Sequence, residues 1–211
     1  MATSPKNPLS RRQALIAGAG VAAALCSAPA AFAAPGLNAM TGSLPPLLLR
    51  RALAAFDRHQ ARLTHRDHIA VVDFTAPSRL PRFHIVDLVN GGTTSLLVAH
   101  GRGSDPAHSG FLKRFSNDVG SLATSSGAYL VSDSYTGRHG PSRRLVGLDP
   151  DNSNAEVRAI VMHGAWYVGP DMIRDHGKLG RSEGCFAFAE KDLDQVFQRL
   201  AAGRLIYADK V

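Results

Sequence analysis

The strongest constraint on the fold is a pair of short apolar segments joined by a glycine-rich turn. Residues 82–88 alternate between apolar and polar side chains, residues 94–100 form a second, mostly apolar run, and Asn90-Gly91-Gly92 lies between them. Asn-Gly dipeptides favour the tight turns of β-hairpins because both residues tolerate a positive φ. The sequence therefore predicts an antiparallel hairpin over residues 82–100.

Further short runs of branched apolar residues predict more strands, at 69–74, 128–131, 158–162 and 204–208. Two segments have apolar residues at helical spacing instead, residues 47–63 and residues 190–202, and Gly203 ends the second. Many short strands with few helices are typical of sandwiches and barrels. We expect a mainly β fold, sandwich-like or barrel-like, with one peripheral helix near each end.

Residues 1–33 have the layout of an export signal. Lys6, Arg11 and Arg12 precede an apolar stretch over 14–25, and Ala31-Phe32-Ala33 fits a cleavage site. The paired arginines favour the twin-arginine route over the general secretory route. The apolar stretch is shorter than the roughly 20 residues that span a bilayer. We expect cleavage after Ala33 and a protein of the periplasm or cell wall, without stable membrane insertion.

The remaining chain divides into a linker over 34–46, an N-terminal helical segment over 47–68 and a globular domain over 69–211. The net charge of +7 falls to +4 without residues 1–33, because that segment carries three positive charges and no negative ones. Lysines and arginines are scattered, and only 7% of residues are aromatic. This composition argues against a nucleic-acid-binding surface, which combines clustered basic residues with stacking aromatics.

Cys185 is the cysteine that remains when the export signal, with Cys26, is removed. A single cysteine cannot form an internal disulfide, so it is either a small buried apolar residue or a reactive thiol. His163 ends an apolar run 22 positions earlier and is followed by Gly164. An imidazole at a strand end can take the proton of a nearby thiol, which makes the thiolate nucleophile.

The order of several motifs resembles murein L,D-transpeptidase catalytic domains. His163-Gly164 and the later Gly180-Arg181-Ser182-x-Gly184-Cys185 are similar to the signature of a divergent, YkuD-like branch. That branch lacks the histidine that usually precedes Gly-Cys. Other matching segments are 135–140, 144–148, 158–165 and 176–182, so the resemblance covers about residue 69 to the C-terminus.

The resemblance implies a β-rich catalytic domain over 69–211 with the Cys/His pair at one end. It implies that the Cys185 thiolate attacks a carbonyl of a peptidoglycan stem peptide and forms a thioester. His163 would act as base and then as acid, and the N–H groups of Gly184 and Cys185 would stabilise the oxyanion. An amine or water would resolve the thioester, and no metal or cofactor is required.

Five further positions are candidates for binding the stem peptide. We expect the fork of Arg181 either to bind a substrate carboxylate or to form a structural ion pair. Ser182 is expected chiefly to stabilise its turn by a local hydrogen bond. Tyr135 and His139 match a segment that lines the pocket in the family, and Gly164 permits close approach of the substrate.

Two departures from the family pattern leave questions open. Glu183 stands where the common motif has histidine, and it is either a solvated carboxylate or a group that recognises a substrate amine. No arginine or asparagine follows directly after Cys185. We also expect Trp166 to pack in the core and His100, another His-Gly position, to be structural.

Two other functions compete with acyl transfer. A metal-dependent wall peptidase would use histidines such as His65 and His68, provided that they share a helix face. A catalytically silent wall-binding module would keep the fold without the chemistry. The sequence also leaves open whether crosslinking, carboxypeptidase action or protein anchoring is the outcome.

Overall fold

The computed structural model describes residues 44–211. The predicted export signal and most of the predicted linker therefore lie outside the described residues. The first helix, α1, spans Pro46–His59 and is followed by a 3₁₀ turn over Gln60–Arg62. Proline is favoured in the first helical turn because its missing N–H would have no partner there. No helix within residues 44–211 is both long enough and apolar enough to cross a bilayer.

Eight strands form one sheet in the order β3-β2-β1-β8-β4-β5-β6-β7. Their bounds are β1 His68–Asp73, β2 Phe83–Asp87, β3 Thr93–Leu96, β4 Gly127–Gly137, β5 Gly140–Gly147, β6 Val161–Gly164, β7 Phe186–Phe188 and β8 Leu205–Asp209. Two short helices, α2 (Pro170–His176) and α3 (Leu193–Arg199), flank β7 in the chain. The β1/β8 and β6/β7 pairs are parallel, and the others are antiparallel.

The two edges of the sheet approach each other. The segment that follows β3 makes single bridges from Ala99 to Ala187 of β7 and from Gly101 to Ser182. These contacts engage part of the free edge of β7, which would otherwise expose unpaired backbone groups. The expected mainly β, barrel-like fold with peripheral helices is confirmed.

Strand alternation divides the apolar residues between two layers. On β1, Ala70 and Val72 face the interior, while Ile69 and Val71 face α1. In the interior, Phe83 and Phe188 meet edge to face with ring centroids 4.7 Å apart. Successive side chains of a strand point to opposite faces, so one strand serves both layers.

Several elements differ from the sequence prediction. The predicted β2–β3 hairpin forms, but β3 ends at Leu96 because the following residues leave to reach β7. The strand predicted over 158–162 begins only at Val161, because the chain makes turns up to Ala159, whose φ is +52°. The β4–β5 hairpin, β7 and α2 were not predicted.

Candidate active site

A cavity of about 340 Å³ opens on the surface beside the ends of β6 and β7. It contains both members of the predicted nucleophile pair, together with His139, Arg181 and Ser182. The full lining is Arg138, His139, His163, Tyr167, Arg181, Ser182, Glu183 and Cys185.

Strand register places the thiol and the imidazole on the same side of the sheet. Met162 pairs with Phe186 and His163 pairs with Ala187, and Cys185 directly precedes β7. The side chains of Met162 and Phe186 lie in the core. Because side chains alternate along a strand, those of His163 and Cys185 project away from it, toward the cavity.

The His163 imidazole is held in its neutral form. Its ring is only 1% exposed, and its Nδ1 donates a hydrogen bond to the Gly164 carbonyl at 2.8 Å. A carbonyl only accepts, so the proton is on Nδ1 and Nε2 is left as the acceptor. Burial lowers the pKa of His163 below its usual 6.5, and the nearby His139 and Arg138 act in the same direction. The His139 ring stacks on the His163 ring, with centroids 4.2 Å apart.

Cys185 is a partly exposed free thiol. Its Sγ donates to the Ala159 carbonyl at 3.6 Å. Burial raises the pKa of the Cys185 thiol, and Glu183 adds to that effect. The Val161 N–H and the charges of Arg138 and Arg158 oppose it. The resting pair is therefore a neutral thiol beside a neutral imidazole.

The turn before Cys185 is organised by Ser182. Its Oγ donates to the Cys185 carbonyl at 2.7 Å and accepts from the Gly184 N–H at 3.2 Å. Gly184 has a φ of +121°, which side chains other than hydrogen rarely allow. Ser182 thus makes the local hydrogen bonds that were expected of it. One of the two predicted oxyanion donors, the Gly184 N–H, is already engaged by the serine.

Arg181 is bound to backbone rather than to a carboxylate. Its Nη1 donates to the carbonyls of Asp105 and Pro106, the second at 3.2 Å. No ion pair between described residues includes this side chain. One nitrogen is therefore used by the protein, while the side chain still lines the cavity.

Sequence reasoning missed a group of charges at the rim. Glu183 accepts from Arg102 at 2.9 Å and from Arg138 at 3.4 Å, and all three side chains are about half or more exposed. We call Arg102, Arg138 and Glu183 the rim trio. Arg138 belongs to a segment already matched to the family, but nothing in its sequence position indicated Glu183 as its partner.

Tyr167 is a second missed residue of the cavity. A Cβ added to Gly180 would lie 2.6 Å from the Tyr167 Cβ, so the tyrosine packs against a position that has no room for a side chain. Burial raises the pKa of Tyr167 to about 12, so it is a neutral phenol. No sequence motif distinguished it from the neighbouring Trp166.

The remaining predicted positions lie elsewhere. Tyr135 is absent from the cavity lining, and the Arg144 guanidinium lies 4.3 Å from its ring centroid. Gly164 is buried in β6 against Glu190 and Leu193 and does not line the cavity. The expectation that Trp166 packs in the core is wrong, since its side chain is 78% exposed.

The histidines of the metal hypothesis do not share a helix. α1 ends at His59, His65 lies in the loop that follows, and His68 begins β1. His68 Nδ1 lies 2.9 Å from the Asp67 carboxylate. Within residues 44–211, no group of three or more His, Cys, Asp or Glu side chains is placed to hold a metal ion.

A family model for the L,D-transpeptidase catalytic domain matches residues 41–208. A comparison with curated proteins found no match.

Similar solved structures include an L,D-transpeptidase from Mycobacterium smegmatis, with 11% identity and a TM-score of 0.41, covering 68% of this chain and 58% of that one. The helical cell shape determining protein Pgp2 from Campylobacter jejuni has 15% identity and a TM-score of 0.43, with coverage of 70% and 49%. An L,D-transpeptidase from Xylanimonas cellulosilytica has 12% identity and a TM-score of 0.39, with coverage of 74% and 68%. The chain thus spans about half to two thirds of these structures.

Proposed function

The chain belongs to the L,D-transpeptidase catalytic domain family, and from that premise we propose that it is a peptidoglycan-modifying cysteine acyltransferase. The observation that carries the proposal is the shared cavity of the Cys185 thiol and the His163 imidazole. The imidazole is neutral and its Nδ1 is occupied, so Nε2 is available as the base. A free thiol and a base lining one cavity are the two groups that nucleophilic acyl transfer needs.

The first half-reaction transfers an acyl group to sulfur. His163 Nε2 takes the proton of Cys185 as sulfur attacks the carbonyl carbon of the third stem residue, a diamino acid. The tetrahedral intermediate collapses with cleavage of the C–N bond to the terminal D-alanine. His163 returns the proton to the leaving amine, and the thioester remains on Cys185.

In the second half-reaction, an amine of a neighbouring stem or a water molecule attacks the thioester. His163 accepts the proton of the attacking group and returns it to sulfur as the C–S bond breaks. The amine gives a crosslink and water gives a shortened stem. Both products come from the same thioester, and the relative access of amine and water decides between them.

The oxyanion of each tetrahedral intermediate is stabilised by the turn at Gly184-Cys185. The Cys185 N–H is the first donor that we assign. The Gly184 N–H is the second, and its 3.2 Å bond to Ser182 Oγ is long enough to be shared with or yielded to an oxyanion. The strong Ser182 bond to the Cys185 carbonyl, at 2.7 Å, keeps the turn in place during that exchange.

Substrate charge is recognised by the arginines of the cavity. We assign the carboxylate of the stem peptide to Arg138, because this side chain is 74% exposed and its ion pair with Glu183 is long, at 3.4 Å. Arg181, for which the sequence left this role open beside a structural ion pair, has one nitrogen bound to the 105–106 carbonyls and serves as a second donor. When Arg138 leaves Glu183 to bind the substrate carboxylate, Glu183 stays paired with Arg102 at 2.9 Å.

The proposal is tested on the purified protein by intact mass after incubation with a tetrapeptide muropeptide or a carbapenem. We expect one covalent adduct on Cys185, loss of D-alanine from the muropeptide, inhibition by iodoacetamide and indifference to EDTA. Cys185→Ala should remove both the adduct and the turnover. Turnover by Cys185→Ala, or inactivation by EDTA, would contradict the proposal, and a folded protein without any adduct would indicate a silent wall-binding module.

We also propose that residues 1–33 direct export to the periplasm or cell wall by the twin-arginine route. Support comes from the paired arginines and the short apolar stretch of the sequence. A double Arg11→Lys, Arg12→Lys variant should accumulate with an uncleaved N-terminus inside the cell. Normal export and cleavage of that variant would favour the general secretory route.

A further inference from the structure

Arg158 has no part in the chemistry described above, yet its side chain lies directly behind the nucleophile turn. It lies in the run of turns over 153–159 that leads into β6, and the side chain is half-buried. The guanidinium reaches across to the irregular segment 116–125. There it donates to Ser116 O at 2.7 Å, Ser125 Oγ at 2.6 Å, Ser121 Oγ at 3.1 Å and Ala123 O.

One of these acceptors is in contact with the nucleophile turn. A Cβ added to Gly184 would lie 2.9 Å from the Ala123 carbonyl oxygen and 3.4 Å from Arg158 Nη2. The carbonyl and the guanidinium therefore form the wall against which Gly184 is packed. Because Arg158 holds Ala123 by a hydrogen bond, it also determines where the backbone of Gly184 can lie.

The backbone beside Arg158 reaches the nucleophile from another side. Ala159 has a φ of +52°, an uncommon conformation for a residue with a side chain. Its carbonyl accepts the hydrogen bond from Cys185 Sγ at 3.6 Å. The dipeptide Arg158-Ala159 thus contacts the turn through its side chain and the thiol through its main chain.

The charge of Arg158 has no direct ion-pair partner among the described residues, and the Asp118 carboxylate acts on it from beyond ion-pair distance. All four of its hydrogen-bond acceptors are uncharged oxygens. Across residues 44–211, the ion pairs formed by lysine, arginine and histidine do not include Arg158. Arg138, the other cation that favours the thiolate, shares its charge with Glu183.

The other ionisable groups around the thiol differ in their effect. Glu183 opposes the thiolate, while His163 and His139 are kept neutral by burial. Tyr167 is a neutral phenol. The groups that act on Cys185 from the elements around it are Arg138 and His139 of the β4–β5 turn, Tyr129 of β4, His163 of β6, Tyr167, Arg181, Glu183 and Arg158, and Asp118 acts in turn on Arg158. Arg158 is the cation among them that packs against Gly184 and lies outside the cavity lining.

We propose that Arg158 is a positioning residue for the nucleophile: its hydrogen bonds fix the Gly184-Cys185 turn, and its unpaired charge favours the thiolate and the oxyanion. The inference deepens the proposed function and rests on it. It assigns two separable effects to one side chain, a positional effect through the planar fork and an electrostatic effect through the charge.

Two substitutions separate these effects. Arg158→Lys keeps the charge and loses the fork, whereas Arg158→Met loses both. The thiol pKa is measured from the pH dependence of alkylation by iodoacetamide, which needs no substrate turnover. We expect Arg158→Met to raise the midpoint by about one pH unit and to slow alkylation at pH 7 about tenfold. Arg158→Lys should leave the midpoint close to that of the unchanged protein but lower kcat for muropeptide cleavage.

Arg143→Met is the matched control. Arg143 is also half-buried and also donates to uncharged oxygens, at Leu200 O and Ser134 Oγ, but it lies outside the cavity lining. This variant should change neither the midpoint nor kcat. An unchanged midpoint in folded Arg158→Met, or an equal shift in Arg143→Met, would overturn the electrostatic effect. If Arg158→Met does not fold, Arg158→Lys decides: lower kcat at unchanged melting temperature supports the proposal, and full kcat overturns it.

A failure of this inference is distinguishable from a failure of the proposed function. If Cys185 forms the acyl adduct but its alkylation midpoint ignores Arg158, only the role of Arg158 is wrong. If Cys185 forms no adduct although Arg158 sets its midpoint, the thiol is tuned as described and the acyl-transfer function is wrong.

Discussion

Two of the His-Gly dipeptides in this molecule have equally buried imidazoles but differ in the groups that surround the ring. His163-Gly164 ends β6 and faces the cavity, whereas His100-Gly101 lies in the segment that follows β3 and closes the sheet. Each imidazole is only 1% exposed. The comparison teaches that burial by itself does not separate a base from a structural residue.

The difference lies in which ring nitrogen carries the proton. His163 Nδ1 donates to a carbonyl, so its free Nε2 is an acceptor that faces the cavity. At His100, Arg82 donates to Nδ1 at 2.7 Å, so the proton must be on Nε2. That nitrogen has no hydrogen-bond partner among the described residues, with the Asp105 carboxylate 3.6 Å away. Burial and the charge of Arg82 lower the pKa of His100 to about 3.

His100 still serves the site, but through its backbone. Its carbonyl accepts from the Ser182 N–H at 2.9 Å, and the Arg102 N–H donates to the Ser182 carbonyl at 2.8 Å. A Cβ on Gly101 would lie 2.7 Å from the Gly184 nitrogen. In the proposed function His163 supplies the base, whereas His100-Gly101 supplies backbone that supports the turn before Cys185.

The largest expected effect is the loss of activity when the His163 imidazole is replaced. His163→Gln should lower kcat/KM for muropeptide cleavage by about 10³-fold, because the general base is lost, while the melting temperature changes little. Initial rates and thermal unfolding measure the two quantities. A variant that keeps more than a tenth of the activity would show that His163 is not the base.

The second prediction concerns stability at His100. His100→Ala should cost about 2–4 kcal/mol, because the fully buried Arg82 loses a hydrogen-bond acceptor and a cavity is left. Urea unfolding measures the change. The loss of kcat per folded molecule should be far smaller than in His163→Gln. A larger loss of kcat in His100→Ala than in His163→Gln would contradict the different roles of the two histidines.

The third prediction uses pH. Between pH 6.5 and about 3, His100 binds a proton in the unfolded chain but not in the folded one, so stability should fall as the pH falls through this window. The slope from this one group is about 1.4 kcal/mol per pH unit. Urea unfolding at several pH values should show a shallower slope in His100→Gln than in the unchanged protein, and equal slopes would contradict it.

The pH dependence of activity tests the same contrast between the two histidines. Because burial lowers the pKa of His163 below 6.5, the neutral base persists into mildly acidic solution. The acidic limb of kcat/KM should therefore have its midpoint below pH 6.5. A midpoint above that value would mean that the imidazole is stabilised in its charged form.

The smallest expected effect is at the rim trio, whose charges are exposed, unlike the buried imidazoles of His100 and His163. Glu183→Gln should change KM by about two- to fivefold, because exposed ion pairs contribute only about 0.2–1 kcal/mol. Steady-state kinetics at low and moderate salt would measure it. A loss comparable with that of His163→Gln would place Glu183 in the chemistry itself.

Much of the fold follows from local patterns. The Asn90-Gly91 hairpin was predicted from alternation and turn residues, and the strands at both ends of the domain, β1 and β8, were predicted from short apolar runs. The β4–β5 hairpin was missed because β4 is half polar and its register shifts between Val131 and Ser134. β7 was missed because a strand of three residues has too little pattern to detect.

Some residues of the site could likewise be found from the sequence, and others could not. Cys185 and His163 were found because a lone thiol and a strand-end imidazole carry recognisable chemistry. Arg102 and Arg138 were missed as partners of Glu183 because they lie 81 and 45 positions from it in the chain. Trp166 and Tyr167 are adjacent aromatics, and only packing decides that the second lines the cavity.

The sequence by itself determined the local properties of this protein: short strands, turns that require glycine, the lone thiol of residues 44–211, and four histidines that precede glycine, His100, His139, His163 and His176. The tertiary structure alone decided which ring nitrogen of His100 and of His163 carries the proton, because that depends on what surrounds each ring. Closure of the sheet places Arg82 and Asp105 around His100 and leaves Nε2 of His163 in an open cavity. Backbone preferences act over a few residues, whereas desolvation and charge arise from groups that only folding brings together.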